Sequence, residues 1–135
     1  MKTMNKPRTR LITGLVFIVA GFNHFWQPHV YRAIMPPYLP WQRELVAVSG
    51  YAEIVLGAML LIPRLRRWAG AGLVALLLAV FPANLHMALN PGRFALIPVA
   101  LLWLRLPLQA VLIAGVAWCS DLWPGRATRR PKRAS

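Results

Sequence analysis

Three ionisable side chains and one amide stand inside apolar runs of this chain: His24 in "AGFNHFW", Glu53 in "SGYAEIVLG", and Asn84 with His86 in "VFPANLHMALNP". A carboxylate within reach of an imidazole can share or pass a proton, and the pair can hold the carbonyl or hydroxyl oxygen of a bound molecule. In lipid a charged side chain costs a few kcal/mol at the bilayer centre unless it is protonated, paired or hydrated, so such groups face inward. Glu53 is therefore expected to meet a histidine, directly or through one water, with His86 ahead of His24. The other reading of the same residues makes His24 and His86 headgroup contacts and Glu53 a neutral hydrogen bonder between helices. Asn84 lies about 200° around a helix from His86 and is expected to bond a different neighbour. Pro82 removes one backbone hydrogen bond and leaves the Leu78 carbonyl without its amide, a bend that a site could use.

The elements that must position these groups are apolar blocks. Hydrophobic residues make up 58% of the 135 positions and charged ones 14%, and the hydrophobic residues are grouped rather than spread at amphipathic spacing. Four blocks, 11–26, 45–62, 68–89 and 106–123, each approach the roughly 17 to 25 residues that a helix needs to cross a bilayer. A soluble bundle would need a charged stripe on every helix, and the blocks hold only Glu53 and Asp121. The expected fold class is all-α: a polytopic four-helix transmembrane bundle whose outer connections form a lid. Residues 1–10 form a basic arm, 11–123 the four-span membrane domain and 124–135 a basic tail.

The net charge of +13 does not signal nucleic acid, because the basic residues lie between and beyond the blocks. Twelve of the sixteen Lys and Arg fall in the N-terminal arm, the second connection and the tail, and four (Arg32, Arg43, Arg93 and Arg105) in the first and third connections. The positive-inside rule then places both termini in the cytoplasm of a multi-pass inner-membrane protein. The first block has a basic flank but a poor cleavage site around Ile18 and Ala20, so it reads as an uncleaved span. The tail "GRATRRPKRAS" is expected to be disordered or to lie on anionic lipid headgroups.

Small residues recur at helical spacing: Gly14 and Gly21 leading to His24, Ser49, Gly50, Glu53 and Gly57, then Gly72, Ala75, Ala79, Pro82 and His86, and Ala110, Ala114, Ala117 and Asp121. Such stripes let helices approach closely in lipid. In the first connection Pro36, Pro37 and Pro40 predict a stiff extended path, with Tyr31, Tyr38 and Trp41 at the interface. Phe94 to Trp103 reads as a segment lying along the outer face or dipping into it. Asp121 reads as structural, paired with Arg126 or the second connection. Cys119 is the sole cysteine, which excludes an internal dithiol cycle, and neither a metal-ligand spacing nor a facing haem pair appears.

The segments "GFNHFWQPHVYRAIMPPYLP", "SGYAEIVLGAMLLIPRLRRWAG", "AVFPANLHMALNPGRF" and "LLWLRLPLQ" resemble the small DoxX-like integral membrane proteins of bacteria, over nearly all of residues 11–123. The resemblance implies four spans in the inner membrane and, through relatives that accompany redox assemblies, an accessory role in a quinone-linked system. A quinone is the cofactor this implies, at a polar intramembrane site of Glu53, His86, His24 and Asn84. The partners it implies are the bilayer and a membrane redox protein. The alternative is a non-enzymatic scaffold or assembly partner for another membrane protein.

Overall fold

The computed structural model describes residues 5–122, and every regular element among them is helical: α1 (Lys6–Trp26), α2 (Pro28–Ile34), α3 (Gln42–Leu60), α4 (Arg66–Leu89) and α5 (Val99–Cys119), with a 3-10 turn at Pro91–Phe94. The tail assigned to 124–135, and Arg126 with it, lies outside the described residues. Of the helices, α4 and α5 are each long and apolar enough to cross a membrane.

Three boundaries differ from expectation. The first span was expected to begin at 11, after a basic arm, but α1 begins at Lys6 with Pro7 in its first turn, so Lys6 to Arg10 is helix. The fourth block was expected to begin at 106, but α5 begins at Val99, so Val99 to Trp103 is helix and not a covering segment. Pro98 occupies the N-cap position, where a missing amide costs nothing, and the helix continues through Pro107. Arg105, expected in a connection, therefore stands inside α5. The first connection is not extended throughout either. Pro28 opens a two-turn helix, α2, which stops at Ile34 because Met35 precedes Pro36 and is pushed to extended backbone (ψ 140°).

The tightest packing is between α1 and α3, which run antiparallel. A Cβ placed on Gly14 would lie 2.9 Å from the Gly57 carbonyl oxygen, and one on Gly57 would lie 2.8 Å from that of Gly14. Gly21 and Gly50 repeat the arrangement at 2.6 and 3.0 Å. The two backbones thus touch at two points seven residues apart on each helix, which only glycine permits. Next to α3 lies α4, and next to α4 lies α5, with Phe17, Leu60, Leu73, Leu77 and Val116 buried at their centre.

The small-residue stripes of α4 and α5 do not share this role. Ala75, Ala79 and Pro82 on α4, and Ala110 and Ala114 on α5, are exposed. The packed faces are instead Ala69, Gly70, Leu73, Leu77, Met87 and Ala88 on α4, and Leu102, Gln109, Val116 and Cys119 on α5. Sequence spacing alone cannot separate a small-residue face from a large-residue face on a helix that is apolar all round.

The ring of helices closes between the start of α1 and the end of α5. The end of α5 is a Schellman motif: the Leu122 amide donates to the Ala117 carbonyl at 3.0 Å and the Asp121 amide to that of Trp118 at 3.4 Å, with Asp121 left-handed at φ 61°. The Asp121 carboxylate accepts from Lys6 at 2.8 Å and Arg10 at 2.6 Å, with Arg66 3.8 Å away. Arg10 also donates to the Cys119 carbonyl. Pairing with the second connection is thus met by Arg66, while the two shorter bonds come from α1. The Lys6 ammonium, with Arg10 and Arg66 beside it, holds the Asp121 carboxyl below its usual range.

Two predictions follow from this packing. Gly21→Ala should lower the melting temperature in detergent, because overpacking costs about 1 to 3 kcal/mol. Gly115→Ala, whose added methyl would meet nothing within 4 Å, should leave the melting temperature unchanged or raise it. Asp121→Asn keeps a side chain that tolerates the left-handed backbone and removes the charge. Because the folded carboxyl titrates below its unfolded value of about 3.9, its stabilisation is present above that pH and is lost as the pH falls through the lower folded value. Wild type should therefore melt above Asp121→Asn at pH 7, and the two curves should converge in strong acid.

Candidate functional site

The contact between Gly21 and Gly50 determines what lies one turn further along each helix. His24 is three residues past Gly21 and Glu53 three past Gly50; in this antiparallel pair they lie to either side of the contact, close enough for their side chains to meet across it. His24 Nδ1 is 3.3 Å from Glu53 Oε2, with the side chains 9% and 15% exposed. The same Nδ1 is 2.9 Å from the Ala20 carbonyl oxygen. A carbonyl can only accept, so Nδ1 carries the proton and donates it there, which in the neutral imidazole leaves Nε2 as an acceptor. Glu53 Oε2 is then beside the imidazole but buried with no hydrogen bond of its own.

Glu53 also lines a cavity of about 180 Å³, whose other polar lining is His24, Tyr31, Ser49, Asn84 and Arg105. Val46 and Val80 supply apolar walls, and Ile34 and Met35, from α2 and the residue after it, close the α2 end. The first connection thus lines the site from a short helix, through Tyr31 and Ile34, and from Met35 after it. Tyr31 stacks on His24 with ring centroids 3.8 Å apart, and its hydroxyl accepts from the Asn23 amide at 2.8 Å. No ion pair joins Glu53 and Arg105, although both line the cavity.

Of the four residues singled out from the sequence, the fold brings together His24, Glu53 and Asn84 and leaves His86 out. The expectation that His86 would precede His24 as the partner of Glu53 is thereby corrected. On α4 the positions lining the cavity are Val80, Ala83 and Asn84, and His86 is rotated about 100° or more from each of them except Ala83, from which it is about 60° away on the opposite side to Asn84. His86 Nδ1 lies 3.3 Å from the Asn90 amide, one turn along its own helix. Its Nε2 is buried without a partner.

Asn84 does bond a different neighbour, as expected: its amide donates to Gln109 Oε1 on α5 at 2.8 Å. Gln109 in turn donates to the Leu77 carbonyl, next along the chain from the Leu78 carbonyl that Pro82 deprives of its amide. Gln109 was legible as a lone amide in the apolar run "LPLQAVL". Tyr31 and Arg105 carried no such signal, because an interfacial tyrosine and a loop arginine account for them equally well in one dimension.

Chemically, the cavity is lined by a carboxyl group, an imidazole and an arginine, around a space smaller than the roughly 300 to 1,000 Å³ that encloses a drug-sized ligand. It suits the polar head of a larger molecule. Among the described residues no group of three or more His, Cys, Asp or Glu side chains could hold a metal ion. Fold and site together define a small all-helical protein, with two helices able to cross a membrane and a polar cavity enclosed by helices. The sequence model of the family described as Domain of unknown function (DUF8561) matches residues 12–120, and the chain belongs to that family. No curated protein and no solved structure matches the chain.

The amide relay gives a third prediction. Gln109→Leu should lower stability by about 1 to 3 kcal/mol, because it leaves the Asn84 amide and the Leu77 carbonyl without their partner. Adding Asn84→Leu should recover part of that loss, and thermal melting of the two single variants and the double variant measures the coupling. Strictly additive losses would show that the bond does not join α4 to α5.

Proposed function

We propose that the chain is a DoxX-like protein of the bacterial inner membrane, with α1, α3, α4 and α5 as its four spans and both termini cytoplasmic. In this reading the Glu53 cavity binds the head of a quinone, and the protein serves as an accessory component of a quinone-linked redox system. The observation that carries the proposal is an interior carboxyl group, Glu53, that lines a cavity beside His24 and whose buried Oε2 has no hydrogen bond. In its acid form Glu53 donates to a quinone carbonyl oxygen, and in its carboxylate form it accepts from a quinol hydroxyl, while His24 Nε2 is an acceptor nearby. Electrons come from a partner redox protein.

Three further observations support the reading. The outward faces of α1 and α3 are apolar, with Leu15, Val16, Val19 and Phe22 exposed on one and Val48, Tyr51 and Val55 on the other. A soluble bundle exposes charge on such faces. Four basic residues, Arg32, Arg43, Arg93 and Arg105, fall toward the side assigned as outer, against twelve toward the other, the asymmetry that the positive-inside rule reads. An apolar groove along α1, lined by Leu15, Val19, Phe22, Phe25 and Trp26, reaches Tyr31, which also lines the cavity. A head in the cavity could therefore leave its isoprenoid tail on α1.

The scaffold reading draws on the exposed small-residue stripes of α4 and α5, which would admit a partner helix at close range. The fourth prediction separates the two. Purified from membranes in a mild detergent, wild type should carry about one quinone per chain, and Glu53→Gln should melt like wild type but lose the quinone. A wild-type preparation free of quinone but stoichiometric with another membrane protein would replace the redox reading with the scaffold.

A further inference from the structure

A second cavity, of about 360 Å³, opens at the same end of the molecule between α2, the turn after it and the 3-10 turn. Its lining includes Arg32, Met35, Gln42, Arg93 and Phe94. Arg32 is half-buried, and its Nε is fully buried with no hydrogen-bond partner. Gln42 spends one amide proton on the Pro36 carbonyl, at 3.2 Å, and keeps the other.

The chain has only three acidic side chains, and their positions make this arrangement unusual. Asp121 is held at the far end of the bundle, Glu53 lines the other cavity, and Glu44 is exposed on the first turn of α3. None of them lines this cavity, and neither Arg32 nor Arg93 makes an ion pair among the described residues. A guanidinium cannot escape burial by losing its proton, so a buried Nε without an acceptor carries the full cost of a lost charged hydrogen bond. Arg32 and Arg93 therefore line the cavity as two cations with no anion of the described fold to pair them. The space is also far larger than the roughly 30 Å³ of one water.

We propose that this cavity binds a phosphate oxyanion, held by Arg32 from α2 and Arg93 from the 3-10 turn, with Gln42 as third donor. Two planar forks on separate elements suit a tetrahedral anion, whose several oxygens they can share, better than a planar carboxylate that one fork satisfies. The phosphate belongs either to a phospholipid headgroup or to free phosphate. Its binding would tie α2 to the 3-10 turn, which no side-chain hydrogen bond joins among the described residues. Met35 lines this cavity and the Glu53 cavity alike, so the anion site adjoins the other, but it does not depend on what the Glu53 cavity holds.

The test uses the full chain in a nonionic detergent, with melting temperature followed against inorganic phosphate, against a short-chain phosphatidylglycerol, and against chloride at matched ionic strength. Stabilisation by phosphatidylglycerol alone supports a lipid source, stabilisation by inorganic phosphate as well supports the free anion, and chloride should do neither. The Arg32→Gln/Arg93→Gln pair should weaken the effect about tenfold or more. Arg64→Gln/Arg67→Gln, which removes the same charge from the connection between α3 and α4, should leave it intact. Should the first pair fail to fold, Arg32→Lys keeps the charge and loses the fork, and should still weaken binding. No stabilisation by either phosphate probe, or equal losses in the two Gln pairs, would overturn the proposal.

Discussion

The contact of α1 with α3 through two pairs of glycines is the constraint on which the rest of the molecule depends. Backbone against backbone at Gly14/Gly57 and Gly21/Gly50 fixes the separation, the antiparallel sense and the register of the two helices at once. A shift of one residue would carry a side chain into the space where only hydrogen fits. With that register set, His24 and Glu53 must share a seam, and the cavity is the room left where the glycines end and larger side chains begin.

The opposite end of the bundle is secured by charge. One carboxylate on a left-handed residue gathers Lys6 and Arg10 from α1 and Arg66 from the start of α4 around the last turn of α5. Both side chains of the shorter pairs are partly open to solvent, where exposed pairs contribute little one by one. Their value is geometric, because a single anion joins the first, fourth and fifth helices where few apolar contacts do. The glycine seam and this anion divide the task between them: the first fixes the middle of the fold and the second closes its ring.

Scarcity of acid governs the remaining electrostatics. With Asp121 committed to structure, Glu53 is the only carboxyl group left in the interior, and the arginines near the α2 end have no side-chain anion to meet. At the α2 end of the described fold an interior carboxyl keeps an unpartnered oxygen, and a guanidinium keeps a buried nitrogen without an acceptor, each on a residue that lines a cavity. Elsewhere the amides find one another, as Asn84, Gln109 and the Leu77 carbonyl do.

The sequence by itself determined that the chain is helical, where the long apolar helices fall to within a few residues at most ends, and that Glu53, His24 and Asn84 were interior groups. Apolar blocks of that length admit no other regular structure, and a polar group within them has to face inward. It also marked the glycines of α1 and α3, whose spacing is regular enough to read. Only the tertiary structure decided that α1, and not α4, meets Glu53, that Ala75 and Ala79 of α4 and Ala110 and Ala114 of α5 point outward, and that Tyr31, Arg105 and Gln109 belong to the site. The reason is that a helix apolar on every side carries no one-dimensional record of which face is packed. Rotation about its axis is set by the neighbours it touches, here by two glycine contacts and one carboxylate.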